Sequence, residues 1–470
     1  MEETNEIKVA RNHTSIKALF DEKRRFFDKG NTLSYSFRKE MLEKLSVGIQ
    51  DHEDEIFKAL NADLGKSETE SYLTEIGIVK AEIDFALKNL KKWMKPKRRF
   101  TPLAFEPSKS ELRYEPKGVV LIIAPWNYPF NLVFDPLVGA IAAGNAVVIK
   151  PSEEAPATAA ITEKIISKIF NPAYISVVQG VGSEVVPHLL KTHIFNHIFF
   201  TGSPGVGKNI ARQAADNLVS TTLELGGKSP AIIDSSANLK VAAKRLIWGK
   251  FINAGQTCVA PDYLLVESKI KEKFTGLLIE TIQEFYGTDA RKSADYPRMI
   301  NEKRFGAVAN FLKDGNIVYG GKTDKEKLYI EPTLMDNVDL NSTVMRDEIF
   351  GPVLPIIPFT HSREISEIVR GNRYPLACYY FGSNKEFKEL ILNQLSFGGG
   401  CVNNTLVHLG NPDLPFGGVQ GSGSGHYHGW HSFECFSHAK SLVISKTWFD
   451  PALKYPPFNQ SKLSWLKKLL

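Results

Sequence analysis

Cys258 stands in the run Asn253-Ala-Gly-Gln-Thr-Cys258, beside Gly255 and polar neighbours instead of the apolar ones that surround a core thiol. A lone cysteine is most often an inert small hydrophobe, so its company decides the matter. Glu224-Leu-Gly-Gly-Lys228 places a carboxylate where a strand closes, and Ala124-Pro-Trp-Asn127-Tyr-Pro129 places a side-chain amide just after another apolar run. A thiol, a carboxylate and an amide at strand ends make a nucleophile, a base and an oxyanion donor.

A second candidate, Gly202-Ser-Pro-Gly-Val-Gly207-Lys208, follows the apolar run 197–201 and precedes a helical stretch. Amides at such a helix start face whatever lies above the strand and suit an anion. The spacing imitates a P-loop, yet Asn209 lacks the magnesium-binding hydroxyl and Pro204 removes an amide. The dinucleotide pattern GxGxxG fails as well, because Gly205-x-Gly207 is followed by Ile210. On spacing alone, phosphate binding and an ordinary tight turn are equally good readings.

The elements that must position these residues show in the apolar pattern. Before Pro96 the chain reads as helix over 37–59 and 75–94, with apolar residues three and four apart (Met41, Leu42, Leu45; Ile76, Ile83, Leu87, Leu90). From Gly118 short apolar runs at 119–124, 146–149, 175–178 and 197–200 alternate with helical stretches, which implies a parallel sheet with crossover helices. A second series begins at Ala231 and continues at 264–266, 317–319 and 353–357. Two α/β units fit. The Pro-rich stretch after Asp450 reads as extended. At 461–470, Leu463, Leu466, Leu469 and Leu470 share a helix face, with Lys462, Lys467 and Lys468 elsewhere. That end is either docked or frayed, or a weak membrane-surface helix.

Composition excludes several classes. With 470 residues, 43% apolar and 23% charged, and only 35 Gly and 25 Pro, the chain is neither disordered nor collagenous. The net charge is +6, and 91–99 alone holds six basic residues without an acid, so no whole face carries the excess that nucleic acid needs. That run reads as a solvated helix end. Four cysteines at 258, 378, 401 and 435, with no CxxC, exclude a disulfide framework and a zinc site and suit a reduced compartment. Cys401 reads as a packing cysteine. His426, His428, His431 and His438 read as surface or interface histidines, so no metal is expected. The N-terminus has acids and no apolar core, unlike a signal peptide, and the apolar run 119–125 is far too short to span a bilayer. A cytoplasmic protein is expected, with residues 461–470 as its one candidate for peripheral membrane contact.

Seven motifs, PWNYPFN (125–131), KPSE (150–153), FTGSPGVGK (200–208), LELGGKSP (223–230), NAGQTCVAPDY (253–263), DEIFGPV (347–353) and LPFGGV (414–419), stand in one order. Together they resemble the NAD(P)-dependent aldehyde dehydrogenase superfamily over residues 37–449. Trp126-Asn127-Tyr128, the VAPDY after the cysteine and Tyr427-His428-Gly429 resemble class 3, the aromatic and fatty aldehyde group. The resemblance implies an α/β fold with a modified Rossmann cofactor domain (1–95 and 118–224) and an α/β catalytic domain (225–408). It also implies an oligomerisation arm (96–117 and 409–450), a tail (451–470) and a homodimer.

The same resemblance implies NAD as cofactor, with NADP as a second candidate. Lys150 and Glu153 would take the adenosine ribose, and Gly202, Ser203, Gly205, Val206 and Gly207 the pyrophosphate. Glu348 would take the nicotinamide ribose and Phe350 would flank the ring, with Trp126, Leu225, Gly226 and Phe416 also at the cofactor. Tyr128, Leu132 and Thr257 would line a channel for a medium- or long-chain aliphatic or aromatic aldehyde. Cys258 would attack the aldehyde, Asn127 and the Cys258 N–H would hold the oxyanion, and Glu224 would activate water against the resulting thioester. An ordinary thiol is only a few per cent ionised at pH 7, so a depressed Cys258 pKa is expected, with Asn127, local amides and bound cofactor as its sources. The rival reading, a CoA-acylating dehydrogenase or thiol-dependent acyl transferase, leaves Glu224 without a purpose. A non-catalytic binding relative leaves Cys258 without one.

Overall fold

The computed structural model describes residues 16–372 and 374–469. The reading of the extreme N-terminus falls outside them. Val119–Ile123 (VVLII) and Ala146–Lys150 (AVVIK) are unbroken apolar runs in which every residue is buried, the signature of strands covered on both faces. They form the middle of a six-stranded sheet. Its order is Gly423–Ser424, Ser220–Leu225, His197–Gly202, Val119–Ile123, Ala146–Lys150, Ile175–Val177. All neighbours are parallel except Gly423–Ser424, which runs antiparallel to Ser220–Leu225. From Val119–Ile123 the chain builds outward on one side, then returns to build His197–Gly202 on the other. The reversal opens a crevice at the carboxyl ends of those two strands, where open α/β sheets hold ligands.

A second, seven-stranded sheet has the order Asn316–Tyr319, Thr333–Asp336, Val353–Phe359, Tyr263–Glu267, Pro230–Ile233, Ala377–Phe381, Gly399–Val402. Three of its strands, Thr333–Asp336, Ala377–Phe381 and Gly399–Val402, escaped the sequence reading. Gly399–Val402 (GGCV) carries almost no apolar signal, because its neighbour comes too close: a Cβ on Gly400 would lie 2.0 Å from the Cys378 carbonyl oxygen. Lys97–Arg99, Ser108–Pro116 and Ser437–Ser445 form a separate antiparallel sheet with Ser437–Ser445 at its edge.

The helices before Pro96 differ from the expectation in two places. The stretch 37–59 is not one helix but belongs to two, Tyr35–Asp51 and Glu53–Leu64. They part at His52, whose Nδ1 is bonded to the Gly48 carbonyl at 2.7 Å, and Glu53, Asp54 and Glu55 supply the acidic first turn that favours a new start. The stretch 75–94 continues an earlier helix, Glu68–Ser71, through a wide π turn at Tyr72–Ile76 into Gly77–Trp93. That turn carries a fully buried Glu75, and such turns recur at functional sites. After Asp450 the extended stretch is interrupted by a short turn at Ala452–Lys454 and ends in the helix Gln460–Leu469. Among the described residues no helix is long and apolar enough to cross a membrane.

Candidate active site

Asn253, Ala254 and Gly255 take left-handed backbone in succession, with φ of 53°, 50° and 74°. For the two residues with a Cβ this costs about 1–3 kcal/mol each, so their surroundings must hold them. Glu70 Oε1 accepts from the Asn253 N–H at 2.9 Å, and Asn253 Nδ2 donates to the Asn127 carbonyl at 2.7 Å. Gln256 donates to the Arg298 carbonyl and accepts from the Ile300 N–H, both at 3.0 Å. Glycine is required at 255, since a Cβ there would lie 2.4 Å from the Gly351 carbonyl oxygen. The turn follows the helix Leu239–Phe251 and delivers Thr257 and Cys258.

Asn127 is fixed from the other side. The Lys66 ammonium donates to the Asn127 carbonyl at 3.2 Å and to Glu75 Oε1 at 2.5 Å, while Glu75 Oε2 accepts from the Phe130 and Asn131 N–H groups at 2.9 and 3.0 Å. This buried ion pair binds the loop after Val119–Ile123 to the π turn. Asn127 Nδ2 donates to the Gln256 carbonyl at 3.1 Å, which aligns its amide with the segment leading to Cys258. Tyr128 and Thr257 share a hydroxyl hydrogen bond of 2.5 Å.

Cys258 is only partly buried, because two cavities meet at it. The larger, about 270 Å³, is walled by apolar side chains including Ile78, Leu132, Trp248, Phe416 and Tyr427. The smaller, about 180 Å³, is bounded by Trp126, Asn127, Thr201, Gly202, Ser203, Glu224, Leu225, Gly226, Arg304, Glu348 and Phe350. It occupies the crevice at the switch point of the first sheet. Glu224 is buried, pairs across its sheet with Thr201 and Gly423, and neither carboxylate oxygen has a hydrogen-bond partner. Burial therefore pushes its carboxyl well above the usual range.

The other two ionisable groups move the same way. Burial, reinforced by Asp262, pushes Glu348 up to about 8 despite the Gly227 N–H, Arg304 and Lys228. The Cys258 thiol is pushed up to about 12 by burial and by the Glu348 and Glu224 carboxylates, and its own and the Val259 amide offset only part of this. The expected depression of this thiol is thus corrected: the protein alone raises it, because removing water and adding nearby carboxylates both disfavour the thiolate.

Around the smaller cavity the residues fit a dinucleotide. Ser203 starts the helix Pro204–Ala215 without using its hydroxyl as a cap, and Gly205 faces open space, so the first amides are free to meet phosphate. Gly207 packs that helix on Leu225, where a Cβ would lie 2.6 Å from Leu225 Cδ2, and Val206 is half exposed. A Cβ on Gly226 would lie 2.0 Å from Glu348 Oε2. The rings of Trp126 and Phe350 stand edge to face with centroids 5.3 Å apart. At the end of the neighbouring strand the Lys150 ammonium donates to Glu153 Oε2 at 2.8 Å, and Glu153 Oε1 accepts from the Gly182 N–H at 2.6 Å. Burial raises Glu153, but those two donors outweigh it and hold its carboxyl below the usual range.

Tyr128, Leu132 and Thr257 line the larger cavity, and so does Phe416, which the sequence reading grouped with the cofactor. Sequence reasoning missed Arg304, whose guanidinium lies 5.4 Å from the Phe350 ring centroid. It also missed the Lys66–Glu75 pair, Glu70 and the buried Thr201 hydroxyl. Tyr427 and His428 wall the larger cavity, and the Tyr-His-Gly run was the available signal for them. Arg304 lies in a plain helix and carries no signal.

Two largely parallel α/β sheets, with a cysteine where an apolar cavity meets one lined by Asn127, Glu224, Arg304 and Glu348 at the sheet's switch point, make an α/β enzyme with a thiol nucleophile beside a nucleotide-type crevice. The model of the aldehyde dehydrogenase family matches residues 3–442. The 4,4'-diaponeurosporen-aldehyde dehydrogenase of Staphylococcus aureus is 46% identical over 455 residues, 96% of this chain and 98% of that protein. Aldehyde dehydrogenase family 3 member H1 of Arabidopsis thaliana is 43% identical, covering 96% and 94%. The solved substrate-bound state of Staphylococcus aureus AldH superposes with a TM-score of 0.94 at 45% identity, covering 97% of this chain and 99% of that one. The chain belongs to the aldehyde dehydrogenase family and is an NAD(P)-dependent aldehyde dehydrogenase.

Proposed function

We propose that the protein oxidises medium- or long-chain aliphatic or aromatic aldehydes to carboxylic acids, with Cys258 as nucleophile, Asn127 as oxyanion donor and Glu224 as base. The observation that carries this is the position of Cys258 where an apolar cavity meets the crevice lined by Asn127, Glu224 and Glu348. The Staphylococcus aureus relative is named for 4,4'-diaponeurosporen-aldehyde, and the apolar wall of this chain's larger cavity suits an apolar aldehyde here too. The division is that of the sequence reading: a cofactor domain (1–95 and 118–224), a catalytic domain (225–408) and an arm (96–117 and 409–450). The edge strand Ser437–Ser445, with Val443 and Ile444 exposed, suits pairing with a second copy in a homodimer. The setting is cytoplasmic, with the tail at a membrane surface.

Trp126, Ser203, Gly205, Val206, Glu348 and Phe350 would hold the dinucleotide, and Glu153 with Lys150 would hold its adenosine ribose. NAD(P)⁺, when bound there, would supply the hydride acceptor. The Glu153 carboxylate repels a 2′-phosphate, so NAD is preferred over NADP. Cys258 gives up its proton to water in the cavity and its sulfur bonds the aldehyde carbon, the carbonyl π bond opening to an oxyanion. The oxyanion then takes hydrogen bonds from Asn127 Nδ2 and the Cys258 N–H, one such donor being worth about 2.7–4 kcal/mol. After oxidation an acyl group remains on Cys258 as a thioester. Water attacks it, Glu224 takes the water's proton, and the acid leaves as the thiol is restored. An unsolvated Glu224 is a stronger base, once ionised, than an exposed carboxylate.

Decanal and benzaldehyde, each with NAD or NADP and with or without CoA, test the assignment through NADH absorbance and product identity. Free acid formed fastest with NAD supports it. An acyl-CoA product would replace it with the acyl-transfer reading, and no turnover of either aldehyde would overturn the substrate class.

A further inference from the structure

The histidines near the C-terminal segment are sorted by the fold. Among the described residues, His426, His431 and Glu434 bring candidate ligand atoms to within 4.8 Å of one another. His431 and Glu434 lie one turn apart on the helix Gly429–Cys435, and His426 precedes it, before Tyr427, which is bridged to Phe416. His431 Nδ1 is buried without a hydrogen-bond partner and lies 3.9 Å from Glu434 Oε2. The His426 and His431 rings meet edge to face, with centroids 5.1 Å apart. Glu434 Oε1 accepts from the Tyr114 hydroxyl at 3.1 Å, which steadies the carboxylate and leaves Oε2 on the histidine side. Lys97, a competing cation, has its ammonium on the Trp430 ring, 3.2 Å from the centroid.

Tetrahedral zinc with bonds of about 2.1 Å sets its ligand atoms about 3.4 Å apart. The cluster needs only a rotamer-scale contraction to reach that, and exposed His426 is free to make it. Two imidazoles and one carboxylate suit zinc and its transition-series neighbours, whereas magnesium and calcium prefer all-oxygen sites. We propose that His426, His431 and Glu434 bind a divalent transition-metal cation such as Zn²⁺, water completing the shell, and that binding fastens the segment carrying Tyr427 and His428 to the helix Gly429–Cys435. Those two residues wall the larger cavity, so the site lies behind the cavity wall and apart from Cys258.

The test uses the full-length protein with Co²⁺ and Zn²⁺ as probes. One Co²⁺ per chain is expected, with visible bands of a tetrahedral nitrogen and oxygen set and without the near-ultraviolet band of a cobalt thiolate. Loss of an outer partner of a metal ligand already weakens affinity by about 10–100-fold, so His426→Ala and Glu434→Gln are each expected to weaken binding more than tenfold. His426→Ala removes an exposed ring, and Glu434→Gln keeps an acceptor for Tyr114, so both variants should retain the metal-free melting temperature. Zn²⁺ should displace Co²⁺ and slow hydrogen exchange across residues 425–434 in the parent protein but not in either variant. A thiolate band, or binding unchanged in both variants, would overturn the site. Zn²⁺ binding that leaves exchange across 425–434 unaltered would overturn the fastening.

Discussion

At the scale of single residues the protein keeps Cys258 protonated until something else intervenes. With the thiol pushed up to about 12, the thiolate fraction of the cofactor-free protein rises about tenfold per pH unit below that value. Alkylation of Cys258 by iodoacetamide should therefore climb through pH 7 to 10 without levelling, and a rate half-maximal near pH 8.5 that levels off by about pH 10 would show an ordinary solvated thiol. Glu224 allows a sharper test. Glu224→Gln keeps the shape of a protonated carboxyl but cannot accept a proton, so oxidation should proceed once and deacylation slow by about 10²- to 10⁴-fold. A burst of NADH approaching one equivalent, followed by a slow steady rate and an acyl adduct on Cys258 by mass spectrometry, is the expected result. Loss of the burst itself would move Glu224 to an earlier step. These candidates were legible because their residue types are chemically unusual at strand ends. Their protonation was not legible, since it depends on which carboxylates and amides the fold gathers around the sulfur.

At the scale of elements the site depends on strain that no periodicity reveals. The sheets were readable because parallel strands buried on both faces write themselves as apolar runs, as Val119–Ile123 and Ala146–Lys150 do. The left-handed turn Asn253–Gly255 and the π turn at Tyr72–Ile76 were not, because each is held by distant partners, and the break at His52 was not, because a ring bonded back to the Gly48 carbonyl leaves the apolar periodicity unbroken. Gly255→Ala tests the turn. Its Cβ would meet the Gly351 carbonyl oxygen at 2.4 Å, next to Phe350, in a conformation costing about 1–3 kcal/mol. A fall in melting temperature with at least a hundredfold loss of kcat/KM is expected. Gly276→Ala, in the helix Lys271–Tyr286 with nothing within 4 Å of its Cβ, should instead stabilise by about 0.5–1 kcal/mol and leave activity alone. Lys66→Met probes the scaffold behind Asn127. It strands the buried Glu75 carboxylate, so about 3–5 kcal/mol of stability should be lost, read as a shift of the denaturation midpoint. Equal stability in the variant would mean that water or another cation replaces the ammonium.

At the scale of the whole molecule, the arm sheet ends in an apolar tip continuous with the tail. Ser445 pairs with Ser108, and the Lys446 N–H donates to the Pro107 carbonyl, so residues after 445 leave the sheet beside the loop 100–107. Phe100, Leu103 and Phe105 are exposed there, as are Trp448, Phe458 and Trp465 further along. Residues 451–470 contain Lys454, Lys462, Lys467 and Lys468 and no acid. Lys454 is taken up by Asp450 at 2.6 Å, but exposed tryptophans beside Lys462, Lys467 and Lys468 match the chemistry of an anionic lipid surface, where each lysine near the surface is worth about 1 kcal/mol. Three lysines would then give about 3 kcal/mol, on the order of a hundredfold in partitioning, a strength that salt should erode as it screens the charges. The full chain should sediment with vesicles containing phosphatidylserine at low salt and be released at high salt. Truncation after Asp450 should abolish sedimentation and leave turnover of benzaldehyde unchanged. If the truncated protein assembles into a smaller oligomer than the parent in light scattering, or loses turnover, the tail belongs to a subunit interface and the lipid reading fails. Equal sedimentation of the two proteins would fail it as well.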